Sequence, residues 1–172
     1  GYWGGMLLGE AEEPELRNLT FEGNSWIATP LTPNHYAGGI YLYLTSPRVV
    51  NCRFVGNFAR RGAICVWGKN VDEVNPNDEV LGKPIFENCV IAGNSGELGG
   101  AIHCIYGGHP TFINCTIAEN HVVDPLEAEP GFSRREGDSA AKFVNCILLG
   151  NDPKNIPSGW VDHSLVALDT PD

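Results

Sequence analysis

Methionine occurs once in this chain, and lysine and arginine together number only 11 among 172 residues, against 21 aspartates and glutamates. The resulting net charge of -10 removes the electrostatic attraction on which binding to a nucleic-acid backbone or an anionic membrane surface depends. No apolar run approaches the roughly 20 residues of a membrane-spanning helix, and no signal peptide opens the sequence. The chain therefore reads as processed or as an excerpt of something longer. There is no C-x-x-C pair and no cysteine-histidine cluster of the zinc type. Phosphate-binding glycine loops and nucleophile elbows are missing as well. Helix formers are diluted by 21 Gly, 12 Pro and many Asn and β-branched residues, a mixture that favours short strands and frequent turns. At this length one domain still buries roughly 70% of its unfolded surface, enough for a core.

What the chain does have is a repeated phrase, P-x-h-x-N-C-x-h-x-x-N, in which h is apolar. It reads PELRNLTFEGN from Pro14, PRVVNCRFVGN from Pro47, PIFENCVIAGN from Pro84, PTFINCTIAEN from Pro110 and AKFVNCILLGN from Ala141. If x-h-x and C-x-h are two strands separated by a bend, three columns point inward. They are Leu16, Val49, Phe86, Phe112, Phe143; then Leu19, Cys52, Cys89, Cys115, Cys146; then Phe21, Phe54, Ile91, Ile117, Leu148. Leucine filling the cysteine slot once marks that slot as apolar and buried, which favours free thiols over bridges. The two asparagine columns admit no substitution. Asparagine tolerates the left-handed backbone of a tight bend and can hydrogen-bond to its counterpart one layer away, so both columns are expected to form asparagine ladders.

A second phrase, two small residues and an apolar one, precedes most copies: Gly4-Gly5-Met6, Gly38-Gly39-Ile40, Gly62-Ala63-Ile64 and Gly100-Ala101-Ile102. It supplies a third strand per coil, with a tight corner where adjacent coils approach closely. Alternation then puts Leu42, Val66 and Cys104 inside, and Tyr41, Cys65, His103 with Tyr43, Trp67, Ile105 outside. Successive first asparagines lie 33, 37, 26 and 31 residues apart, so a short coil is lengthened by insertions at 25–37, 68–83 and 121–136, with an irregular terminal coil at 152–172. That is the pattern of a β-solenoid. The expected fold is all-β: a single right-handed parallel β-helix of about five coils with long loop insertions, filling residues 1–172 as one domain.

The GGAI tetrapeptide at Gly99 and the F-x-x-N tetrapeptides FEGN at Phe21 and FVGN at Phe54 resemble the repeats of polymorphic outer-membrane proteins. More widely, the whole chain resembles the bacterial right-handed parallel β-helix repeat proteins of the pectate-lyase-like superfold. That resemblance implies an extracellular or cell-surface location. It implies little about activity, because the architecture hosts lyases, hydrolases, adhesins and fibres alike.

Polysaccharide cleavage on such a fold needs carboxylates converging on one outward sheet, with a base or Ca²⁺. The outward strand positions carry few carboxylates, so no catalytic residue is assigned. Loop acids Asp72, Glu73, Asp78 and Glu79 are weak candidates for Ca²⁺, and Asp124, Glu127 and Glu129 with Arg134 and Arg135 for a cleft; solvated acidic loops are the blander account of both. The outward residues Tyr41, Tyr43, Trp67 and His103 are the candidate ligand-binding set, for a glycan or a partner, unless a long loop folds over them. Asn18-Leu19-Thr20 and Asn114-Cys115-Thr116 match the glycosylation sequon, but as ladder members their side chains are expected to be turned inward. The expected role is a non-catalytic structural or adhesive solenoid, continued by further coils of the same polypeptide or by self-association. The alternative is a polysaccharide lyase, hydrolase or carbohydrate-binding module.

Overall fold

Three-residue strands separated by asparagine bends dominate the computed structural model, which describes residues 5–9, 13–26, 37–69, 82–123, 132–135, 139–151 and 161–167. The small-residue phrase builds sheet A from β1 (Met6–Gly9), β4 (Ile40–Tyr43), β7 (Ile64–Trp67), β11 (Ile102–Ile105) and β15 (Phe132–Arg135). The first half of the asparagine phrase builds sheet B from β2 (Glu15–Arg17), β5 (Arg48–Val50), β8 (Ile85–Glu87), β12 (Thr111–Ile113), β16 (Lys142–Val144) and β18 (Val161–Asp162). Its second half builds sheet C from β3 (Thr20–Glu22), β6 (Arg53–Val55), β9 (Val90–Ala92), β13 (Thr116–Ala118), β17 (Ile147–Leu149) and β19 (Leu165–Ala167). Every pairing is parallel and joins equivalent positions of successive copies, as in Leu16↔Val49↔Phe86 and Phe54↔Ile91↔Ile117. A short fourth column, β10 (Ser95–Gly96) with β14 (His121–Val122), follows the second asparagine and is prolonged by single bridges at Ser25 and Phe58.

Side-chain volume is balanced coil by coil. Where sheet B contributes Val49, sheet C contributes Phe54; where sheet B contributes Phe86 or Phe112, sheet C contributes Ile91 or Ile117. One phenylalanine and one aliphatic residue in each of the five copies of the asparagine phrase keep the interior volume even, as close packing requires. Phe21 stacks on Phe54 at 4.8 Å in sheet C, and Phe86, Phe112 and Phe143 stack at 4.7 and 5.3 Å in sheet B. The column changes sheet where Phe54 meets Phe86 edge to face at 6.2 Å. The corner phrase is small for a steric reason: a Cβ on Gly39 would stand 2.7 Å from the Ala63 carbonyl oxygen and 2.9 Å from the Phe54 ring.

Two expectations change. The segment 121–136 is not purely an insertion, since it supplies β14 and β15, the latter pairing with β11 in the register Ile102↔Phe132. The segment 152–172 holds a sixth copy of the repeat: Phe143↔Val161 and Leu148↔Val166 continue sheets B and C. Both escape a motif search because parallel pairing is made by the backbone. Ser164 can therefore stand for cysteine and His163, at φ 48°, for asparagine. Residues 27–36 and 70–81 of the other two insertions lie outside the described residues.

Candidate functional site

The outer face of sheet A brings the expected binding residues together. Tyr41, Cys65 and His103 are register partners across β4, β7 and β11, as are Tyr43, Trp67 and Ile105. Their environment is not an open surface, however. Tyr41, Cys65, His103 and Ile105 are 3, 0, 1 and 1% exposed, and Tyr41, Cys65 and Ile105 form with Ala37 a second apolar cluster on the outside of the sheet. The middle strands of sheet A, β4, β7 and β11, are therefore largely buried on both faces. Of the four expected ligand-binding residues, only Tyr43 and Trp67 are partly exposed; Tyr41 and His103 are closed to solvent.

The partly exposed rings turn on one another. Tyr43 lies 5.8 Å from Trp67, and Trp67 lies 4.5 Å from Tyr106 at an interplanar angle of 30°. Tyr106 holds its place with φ at 49°, a left-handed conformation that costs a non-glycine residue about 1–3 kcal/mol. A sugar ring laid on Trp67 would have to share or displace those neighbours. Cys65 offers no nucleophile there. Burial pushes its thiol up to about 12, against the opposing pull of the Arg61 guanidinium. Burial likewise raises the Cys52 and Cys104 thiols.

On sheet B the outward carboxylates Glu15 and Glu87 are already engaged. Arg48 holds Glu87 in a fork, Nε to Oε1 at 2.9 Å and Nη2 to Oε2 at 2.7 Å, and reaches Glu15 through Nη1 at 3.2 Å. Arg17 also contacts Glu15. The hydrogen bond from Arg48 draws the Glu87 carboxyl below its ordinary range, so this acid is ionised and poorly suited to donate a proton. Among the described residues no group of three or more His, Cys, Asp or Glu side chains is placed to hold a metal ion. Asp72, Glu73, Asp78, Glu79, Asp124, Glu127 and Glu129 lie outside the described residues. Arg134 and Arg135 share the register of Cys104 and Ile105 in sheet A.

The most extensive polar arrangement is internal. Asn24, Asn57, Asn94, Asn120 and Asn151 form a ladder in which each Nδ2 donates to the next Oδ1, at 2.9, 2.9, 2.8 and 2.7 Å. Each backbone N–H donates to the same oxygen, at 3.2, 2.8, 3.0 and 3.1 Å. From Asn57 onward Nδ2 also donates to a carbonyl one coil back, those of Phe21, Phe54, Ile91 and Ile117. A side chain with both donor and acceptor thus satisfies a bend that water cannot reach.

The other asparagine column behaves differently. Asn18, Asn51, Asn88, Asn114 and Asn145 are exposed, with φ between 52° and 57°. Their side chains meet only in the pairs Asn51–Asn18 at 3.4 Å and Asn145–Asn114 at 2.6 Å, so the expected continuous ladder is absent here. The sequon residues Asn18 and Asn114 accordingly face outward, contrary to the inward placement expected from a ladder.

The cysteine slot is more than an apolar filler. The Cys89 and Cys115 N–H groups each donate to the sulfur one coil on, at 3.4 Å, and Cys146 N–H donates to Ser164 Oγ at 2.9 Å. All six cysteines are unbridged and buried. Serine at 164 was the sequence signal for this polar role, hidden because the sixth copy lacks its asparagine and proline.

Parallel sheets stacked in register around an interior of aligned side-chain columns define a β-helix. The sequence model of the right handed beta helix region matches residues 4–159, and the chain belongs to that family. No curated protein and no solved structure matches it.

Proposed function

We propose that this chain is a non-catalytic structural or adhesive β-solenoid segment, working outside a bacterial cell or on its surface as a stiff rod that carries loops. The observation behind this reading is the state of the outward carboxylates: Glu15 and Glu87 are both held by Arg48, leaving no free acid pair across sheet B among the described residues. The test is incubation with a panel of acidic and neutral polysaccharides, with and without Ca²⁺. No cleavage is expected. Cleavage that disappears when Asp72, Glu73, Asp78 or Glu79 is changed to alanine would overturn the reading in favour of a lyase or hydrolase.

The partly exposed rings of Tyr43 and Trp67 favour a second reading, a carbohydrate-binding module. Under it, Trp67→Ala and Tyr43→Ala abolish retention on a glycan column while the circular dichroism spectrum stays intact.

A further inference from the structure

Of all the asparagines in the sequence, only Asn18 and Asn114 are followed two residues on by threonine or serine, and both belong to the exposed column. The buried ladder carries no such triplet: the residues two beyond Asn24, Asn57, Asn94, Asn120 and Asn151 are Trp26, Ala59, Gly96, Val122 and Pro153. Asn120 is wholly buried and spends its Nδ2 on Asn151 and on the Ile91 and Ala118 carbonyls, so a substituent there would break the ladder. Asn114 is the reverse case, and the coils on both sides of it are described. It is exposed at φ 54°, its Oδ1 accepts from Asn145 Nδ2 at 2.6 Å, and among the described residues none accepts from its own Nδ2. Its neighbours in the column, Asn88 and Asn145, have Val90 and Ile147 where Asn114 has Thr116. Cys115 turns inward, so Asn114 and the half-buried Thr116 stand together on the outer surface. The backbone holds them there, with the Asn114 N–H donating to the Val144 carbonyl and the Thr116 N–H to the Cys89 carbonyl.

We propose that Asn114 is an N-glycosylation site, the acceptor of a sugar carried by a glycosyl diphosphate, and that Thr116 is the residue by which the transferase recognises it. In the transfer a bond forms between Asn114 Nδ2 and the anomeric carbon, and the bond from that carbon to the diphosphate oxygen breaks. The diphosphate leaves with the electron pair of that bond, and one Nδ2 proton passes to a base of the transferase. Nothing is oxidised or reduced. A nucleotide-linked donor delivers a single sugar and a lipid-linked donor an oligosaccharide; the acceptor chemistry is the same for both. The folded coil accommodates the product, because Nδ2 gives up no hydrogen bond and Oδ1 stays with the Asn145 amide. The inference is independent of whether the chain cleaves polysaccharide.

The experiment is peptide mass mapping of the whole chain isolated from the cells that make it, beside Asn114→Asp, Thr116→Val and Thr116→Ser made in the same cells. The peptide spanning Asn114 is expected at its own mass plus one sugar for a nucleotide-linked donor, or plus an oligosaccharide for a lipid-linked one, and enzymatic release of the sugar at the amide should leave aspartate at 114. The added mass is expected to vanish in Asn114→Asp and Thr116→Val and to persist in Thr116→Ser, with the peptides of Asn88 and Asn145 unmodified throughout. Aspartate tolerates the left-handed backbone and keeps an oxygen for the Asn145 amide, and valine suits a strand, so circular dichroism should be unaltered in both. Should one variant lose its fold, the other carries the comparison. An unmodified Asn114 peptide in the unchanged protein, a sugar lodged on Thr116 instead, or a sugar on Asn114 that survives Thr116→Val overturns the proposal.

Discussion

Asn94 and Asn88 stand at the two bends of one coil, the first wholly buried and the second exposed. Asn94 uses its amide: it accepts from Asn57 and donates to Asn120 and to the Phe54 carbonyl. Asn88 uses its backbone, at φ 52°, and its side chain is secondary. In the buried bend the left-handed residue is the one before the asparagine, Gly23, Gly56, Gly93 or Gly150, with Glu119 the exception at φ 52°. The same amino acid thus answers two demands, one for hydrogen-bonding capacity and one for conformation. A bend that separates the two jobs between neighbours can be buried. A bend that loads both onto one residue stays at the surface.

The comparison can be broken most forcefully at Asn94. Asn94→Ala takes away the acceptor of the Asn57 N–H and one of the two acceptors of Asn57 Nδ2, and removes the side-chain donor to the Phe54 carbonyl and one of the two donors to Asn120 Oδ1. At about 1–3 kcal/mol per buried unsatisfied group, partly relieved by relaxation, the expected loss is about 3–5 kcal/mol, read as a fall of roughly 10 °C in Tm. Asn88→Gly is expected to change stability by no more than about 0.5 kcal/mol, because glycine keeps the left-handed backbone. Asn88→Val, which cannot adopt it cheaply, should cost about 1–2 kcal/mol in the same calorimetric series.

The smallest effect belongs to the surface. Glu87 has its folded-state pKa lowered by the Arg48 hydrogen bond, so its contribution is complete above the ordinary glutamate value of 4.5 and is lost as pH falls through the lower folded value. The unfolding midpoint of Glu87→Gln should therefore lie slightly below that of the unchanged protein at neutral pH. The gap should close in acid and shrink with added salt.

Most of the fold was legible because the repeat states it twice over, in the inward columns and in the invariant asparagines. Leu16, Val49 and Phe86 align on sequence as they pair in sheet B. The fifth strand of sheet A and the regular pairing of the terminal coil were not legible, since Phe132–Arg135 has no small-residue pair before it and Val161–Ala167 replaces both asparagine and cysteine. Backbone pairing needs neither. The outer face of sheet A could be placed by alternation, but alternation cannot tell an outward residue from an exposed one, so Tyr41 and His103 were legible in direction and not in burial. The difference between the asparagine columns was written in the glycine that precedes only the second of them. It is a signal of conformation, and it becomes readable once the left-handed residue of each bend is known.

Hydrogen exchange of the asparagine side-chain amides tests the central claim most directly. With each Nδ2 group assigned by NMR, those of Asn57, Asn94 and Asn120 should exchange far more slowly than an unstructured amide, and those of Asn18 and Asn88 at close to the free rate. Equal rates in the two columns would contradict the division of labour between the bends.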